Sequence, residues 1–362
     1  MERFASVPEQ PEAKRLLTAA LAEGAAHAYL LHGPDGVGKK TAAFAFASAL
    51  LGDDRRVQAR SHPDLYVLEP LGEMIRIDDV RALRRDLHMR PFEADRRVYV
   101  VLDAHRMNED AADALLKDLE EPPPYAVIVL VASELGPLPS TILSRCQLVP
   151  FRRLSEQAVR DWIAAQAGER GDEELRALAR AAAGRLDRAR RLLDEDGAVR
   201  RAALIAAARS AYLDPEFEPA EAAGVLLAAA DARGAEAKER ERALVDGLDL
   251  AARDADQRVR RAERGAEREQ LLASLEGLES WYRDLVVVAV GAEDAVVNAD
   301  LLAELREDAA LGVGDGAGEA AEAVRGTWRS LEEFNLNASL ALEALFVHVH
   351  RALQVNGKSL RA

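Results

Sequence analysis

The segment Gly33-Pro-Asp-Gly-Val-Gly-Lys-Lys-Thr41 constrains this chain more than any other. It lies between an apolar run, Ala28 to His32, and a stretch rich in Ala and Phe, Lys39 to Leu51. Glycines at this density continue neither strand nor helix, so the chain turns sharply from one to the other. In a strand–turn–helix of this kind, successive backbone N–H groups and the helix N-terminus face an anion, and a lysine reaches over it. Gly33, Gly38 and Lys39 fit the phosphate-loop spacing GxxxxGK[ST], with Gly36 inside the turn. Lys40, however, stands where a Ser or Thr hydroxyl would hold magnesium, and Thr41 comes one residue late. A cation at that position disfavours Mg²⁺.

Such a loop calls for a parallel sheet covered by helices, and the first 150 residues have that pattern. Strands are expected at Ala28 to His32, Leu65 to Leu68, Val98 to Asp103, Val127 to Ala132 and Gln147 to Phe151. Helices are expected over Lys39 to Leu51, Asp79 to Met89 and Asn108 to Glu121, the last capped by Asn108 and stopped by Pro122, Pro123 and Pro124. Beyond Phe151 the β-branched runs fade into helical periodicity. At 362 residues the chain exceeds what one core holds. The expected division is an α/β core over 1–152, a small helical domain over 153–208 and an all-α bundle over 209–362. Within the bundle, Gly312 to Gly318 (GVGDGAG) reads as a flexible loop.

Hydrolysis needs more than a phosphate loop. The third strand runs into Asp103, where a phosphate-loop ATPase places its metal-holding carboxylate, but Ala104 stands where the water-activating Glu belongs. His105 would replace that Glu only if the strand continued past Asp103. Two parts of the hydrolytic machinery are therefore degraded together. No set of carboxylates is spaced for two-metal nucleotidyl transfer, so the chain has no polymerase site of its own.

Four further segments make the pattern specific: His62 to Pro70 (HPDLYVLEP), the stretch from Asp103 to Ser133, Leu119 to Pro123 (LEEPP) within it, and Ser144-Arg145-Cys146. With these the chain resembles the clamp-loader branch of the AAA+ superfamily, and within it the delta-prime family of bacterial DNA polymerase III. The likeness is strong over residues 1 to about 200. Further on it is weaker, where Trp281 to Asp284, Asn298 to Asp300 and Asn335 to Asn337 look like the family's helical collar. It implies an AAA+ phosphate-loop core, a helical lid and a ring-forming collar. It also implies tau/gamma and delta subunits, the sliding clamp (beta) and primed DNA as partners in the assembled complex.

By the same resemblance Arg145 acts in trans, as an arginine finger on a neighbouring subunit's ATP. The degenerate nucleotide site would comprise Gly33, Gly36, Gly38, Lys39, Thr41 and Asp103, with ATP or ADP bound without hydrolysis. Gly184 to Arg188 puts Asp187 where the family has a sensor arginine, unless Arg188 substitutes. The stretch where relatives carry a zinc module, Gly52 to Ser61, has no cysteine, so no zinc is expected. The competing readings are an active tau/gamma-like ATPase, favoured by Lys39 and Asp103, and a non-replicative AAA+ adaptor.

The remaining features bound the function. The net charge of −15 is spread over both parts of the chain, which argues against a broad phosphate-neutralising face. Arg84, Arg85, Arg90, Arg96, Arg97 and Arg106 could form a local basic surface towards DNA, but solvated faces are the ordinary outcome. The single cysteine, Cys146, excludes an internal disulfide and suits a reducing cytoplasm; it reads as a small buried apolar residue. His348 and His350, two apart on a helix, face different ways and cannot share a metal. No apolar run approaches membrane-spanning length, so a cytoplasmic protein without membrane contact is expected.

Overall fold

The computed structural model describes residues 2–52, 54–71, 74–167, 171–245, 252–333 and 336–355; Asn335 lies outside them. The described chain divides into two compact units, residues 1–162 with 184–187, and residues 163–183 with 188–362.

The first unit contains α1 (Pro11–Glu23), β1 (Ala28–His32), α2 (Lys39–Leu51), α3 (Asp54–Gln58), β2 (Leu65–Leu68), α4 (Ile77–Leu87), β3 (Arg97–Val101), α5 (Glu109–Glu120), β4 (Ala126–Ala132), α6 (Ser140–Leu143) and β5 (Gln147–Pro150). α7 (Glu156–Ala167) follows. The strands form one parallel sheet in the order β2-β3-β4-β1-β5, the sheet expected from the sequence. β3 and β4 are buried at every residue, which is why they read as continuous Val, Ile and Leu runs rather than alternating ones. On one face Leu30, Val101, Ile128 and Leu130 pack against Leu83 of α4 and Leu115 of α5.

Local chemistry sets the element ends. Asn108 Oδ1 accepts the Ala111 N–H at 3.2 Å and caps α5. Asp79 Oδ2 takes the Arg76 N–H at 2.9 Å, so α4 starts two residues before the expected Asp79. β3 stops at Val101 rather than Asp103, because Asp103 takes a left-handed conformation (φ 49°) that cannot extend a strand.

The second unit is all helical: α8 (Asp172–Ala181), most of α9 (Leu186–Leu193), α10 (Glu195–Leu213), α11 (Pro219–Val245), α12 (Ala252–Ala289), α13 (Leu302–Ala309), α14 (Gly314–Glu333) and α15 (Ala338–Val355). Trp281 and Tyr282 sit at its centre, fully buried. The indole N–H donates to Tyr212 Oη at 3.1 Å, Tyr212 donates to Asp308 at 2.6 Å, and Arg209 clamps Asp308 with two bonds at 2.8 and 2.9 Å. The buried Asp284 accepts from the backbone N–H groups of Val297 and Asn298, and Arg201 holds Asn298 and Asp300, so these two sequence segments meet. Further along, α11 and α12 run antiparallel: Gly234 lies against Glu267, Lys238 pairs with Glu263 at 2.7 Å, and Arg258 pairs with Glu241.

GVGDGAG is not the flexible loop that its glycines suggested. Gly312 makes the turn at φ 77°, but α14 begins at Gly314. A Cβ at Gly314 would press on Ala289 of α12, and one at Gly316 would overlap the Ala352 carbonyl of α15. These glycines are contact points where helices approach closely, and that packing outweighs their weak helix propensity.

Candidate functional site

The phosphate loop forms as the sequence requires, with Gly33, Gly36 and Gly38 at φ 135°, 69° and 98°. A Cβ at Gly33 would overlap the Phe151 carbonyl, so only glycine lets the turn pass beneath the end of β5. Lys39 is 6% exposed. Its ammonium donates to the carbonyl oxygens of Gly33 and Pro34 and lies 3.5 Å from Asp35 Oδ1. Burial pulls its pKa below the ordinary lysine value, against the upward pull of Asp35 and Asp103.

A second segment of the same unit sits on this loop. The Leu186 N–H donates to the Gly36 carbonyl at 2.7 Å, and the Asp187 carboxylate lies so close that a Cβ on Gly36 would overlap it. Arg185 binds that carboxylate through Nε at 3.1 Å and Nη2 at 2.6 Å. The position expected to lack a sensor arginine thus places a carboxylate, paired with Arg185, against the loop where phosphate would be cradled.

The other nucleotide-site residues are dispersed. Lys40 turns outward to Glu69, 3.6 Å away, and Glu69 also binds Arg60 at 2.7 Å. Thr41 is exposed on the first turn of α2. Asp103 is half-buried beyond β3, and the buried Ala104 begins a short 3₁₀ turn (Ala104–Arg106), so β3 does not carry His105. The His105 Nε2 lies 2.9 Å from Ser133 Oγ, just past the end of β4. Burial lowers the His105 pKa, with Asp103 and Asp35 opposing. Lys40 thus stands at the position of the motif's metal-binding hydroxyl, Ala104 follows Asp103, and the Asp187 carboxylate, paired with Arg185, lies against Gly36. Glu69, Ser133 and the contact of Asp187 with Gly36 were not singled out from the sequence.

Arg145 lies away from the loop, just after α6. Its Nη1 donates to the Thr141 carbonyl at 2.8 Å and to Ser144 Oγ at 3.2 Å, and its Nη2 pairs with Glu120 of the LEEPP segment. The Arg145 side chain is 30% exposed and that of Glu120 is 49% exposed. Cys146 is half-buried beside the sheet core, and burial pushes its thiol up to about 12, which suits a packing role.

Other sequence candidates separate. Arg97 is buried, binds Asp86 at 2.6 Å and covers the Phe92 ring, so it is neither solvated nor free for DNA. Arg84 pairs with the buried Asp118, and Arg96 donates to the Ala25 carbonyl. His348 bonds to the Ala344 carbonyl within its own helix, whereas His350 reaches the Ala211 carbonyl and stacks on Phe217. Among the described residues, no helix is long and apolar enough to cross a membrane.

The five-stranded parallel sheet, the phosphate loop after β1 and the helical C-terminal region define an AAA+ core with a collar-like helical region. A family described as "DNA polymerase III, delta subunit" matches residues 9–155. The delta-prime subunit of Bacillus subtilis is 32% identical over 165 residues, 42% of this chain and 50% of that protein. The delta-prime subunit of Pseudomonas aeruginosa is 40% identical over 136 residues, 33% of this chain and 42% of that protein. The tau subunit of B. subtilis is 32% identical over 172 residues, 44% of this chain and 30% of that protein. The chain thus spans about half the length, or less, of the relatives it matches. These similarities, all within its first half, point to the delta-prime/tau-gamma clamp-loader branch of the AAA+ proteins.

Proposed function

We propose that this chain is the delta-prime-type member of a clamp loader in bacterial DNA replication, inert as an ATPase and required by its neighbour. In this reading residues 1–152 are the AAA+ core, 153–208 the lid and 209–362 the collar that closes a ring with tau/gamma and delta subunits in the cytoplasm. The ring opens the sliding clamp and loads it on primed DNA. Arg145 reaches across to the tau/gamma ATP and offsets the charge that develops on the transferred phosphoryl group, an effect on the order of 10³ to 10⁵ in rate at that site.

The observation that carries this reading is the contrast within one unit: Asp187 lies on the chain's own phosphate loop, while Arg145 is held at the surface by exposed groups. Lys40 and Ala104 support it by removing the magnesium hydroxyl and the general base. Any nucleotide at this loop would be held without turnover.

The test is a reconstituted loader with clamp and primed DNA. Arg145→Ala is expected to leave assembly intact and lower stimulated ATP turnover in part, since the other sites keep their own arginines. Lys39→Ala in this chain is expected to change turnover little. The opposite pattern, a large loss with Lys39→Ala and none with Arg145→Ala, would make this chain an active tau/gamma-like motor.

A further inference from the structure

We infer that, given the trans role proposed for Arg145, Glu120 is the residue that positions it: Glu120 holds the guanidinium on the chain's own surface and yields it only to an oxyanion that binds it better. Both partners are fixed at the backbone. Glu120 is the last residue of α5, directly after Asp118 and Leu119, which are 2% and 1% exposed, and Pro122 bars the helix from continuing. Arg145 follows the short α6, where its N–H donates to the carbonyl of the buried Ile142 at 3.1 Å. Only the two side chains are left to move, and 25 positions separate them in the sequence.

The way Arg145 is held makes this contact exchangeable. Its Nη1 is taken by the Thr141 carbonyl and Ser144 Oγ, its Nη2 makes a single bond to Glu120, and its Nε–H has no partner among the described residues. Glu120 is the one ionic partner of Arg145 among those residues, and Arg145 is the one ionic partner of Glu120. A carboxylate touching the guanidinium offsets its charge, so in this position Arg145 offers little field to a phosphoryl group elsewhere. The contact is also weak, because both side chains are partly exposed and Glu120 binds through one oxygen. A terminal phosphate carries more charge than a carboxylate and takes a guanidinium through two parallel bonds, for which the idle Nε–H is available. Arg145 therefore stays with Glu120 until a phosphate stands within reach, and Glu120 then returns to water. Glu120 sets how often the arginine is free when no neighbour's nucleotide is in place.

The test is ATP turnover by the reconstituted loader, with and without clamp and primed DNA. Glu120→Gln keeps the shape of the side chain and removes its charge, so circular dichroism and ring assembly are expected to match wild type. Clamp-free turnover is expected to rise by up to about twofold, because one site of several gains about two- to fivefold in free arginine, while stimulated turnover stays the same. In the Arg145→Ala background, Glu120→Gln should change nothing, whereas a merely structural role would show in both backgrounds. Clamp-free turnover unchanged or lowered by Glu120→Gln, the same rise without Arg145, or a ring that no longer assembles overturns the role of Glu120 alone, provided that Arg145→Ala by itself still lowers turnover. No loss with Arg145→Ala overturns the trans role and the role of Glu120 together.

Discussion

The phosphate loop and the Arg145 rim belong to one unit but treat their cations in opposite ways. Lys39 is sealed among backbone carbonyls, which cannot move without opening the turn between β1 and α2. Arg145 is held by one backbone oxygen and two side chains at the surface, and an exposed pair such as that with Glu120 is worth less than about 1 kcal/mol. The buried cation is held by acceptors of its own turn. The surface cation can change partners at little cost, as the proposed role at a neighbour's site requires.

The largest expected effect tests the sealed side. Gly33→Ala, with φ 135° and the Phe151 carbonyl in the way of a Cβ, should destabilise the protein by about 3 kcal/mol or more in urea unfolding. Gly24→Ala, also at positive φ (103°) but facing open space, should cost only about 1–2 kcal/mol. Equal losses would mean that the loop is not anchored on β5.

Next comes the charge lying on the loop. Asp187→Ala should raise affinity for a fluorescent ATP analogue by about tenfold, or roughly 1.4 kcal/mol, in an anisotropy titration. Unchanged affinity would mean that Asp187 does not oppose nucleotide at the loop. On the open side, Glu120→Gln should lower unfolding free energy by less than about 1 kcal/mol. A larger loss would mean that the Arg145–Glu120 pair is more than a weak surface contact.

The smallest effect is pH dependence at His105. Its pKa in the folded protein is lowered by burial, so the unfolded chain binds the proton more readily. The stabilising contribution is then complete above the ordinary histidine value of about 6.5 and is lost as pH falls through it. His105→Gln should flatten the stability profile between about pH 7 and pH 5 by less than about 1 kcal/mol. A profile no flatter than wild type would show that His105 is not the group titrating there.

What the sequence revealed was mainly local. The sheet strands showed as β-branched runs, the Asn108 cap and the three prolines bounded α5, and the glycine spacing fixed the phosphate loop. Contacts between distant segments were not legible: Asp187 and Gly36 are 151 positions apart, and no local pattern marks Ser133 as the partner of His105. Arg97 looked like a surface charge because neither its burial nor its bond to Asp86 has a sequence signature. GVGDGAG misled for a related reason. Glycine breaks an isolated helix, yet it is the residue that lets helices approach when neighbours such as Ala289 and Ala352 press close.

The antiparallel pair α11 and α12 has a further consequence. The apolar core of its unit reaches Leu227 on α11 and Leu271 on α12, while the rungs Lys238–Glu263 and Arg258–Glu241 lie beyond it. At 38 residues, α12 is about 57 Å long, so one helix joins the apolar core to a far end where these ion pairs lie beside the buried Val245 and Val259. Dissolved ions weaken the two ends unequally, because the Debye length shrinks from about 8 Å in physiological buffer to about 3 Å in molar salt while hydrophobic packing is not screened. Salt is therefore expected to weaken the far end of the pair, where the two ion pairs lie, more than the end at the apolar core.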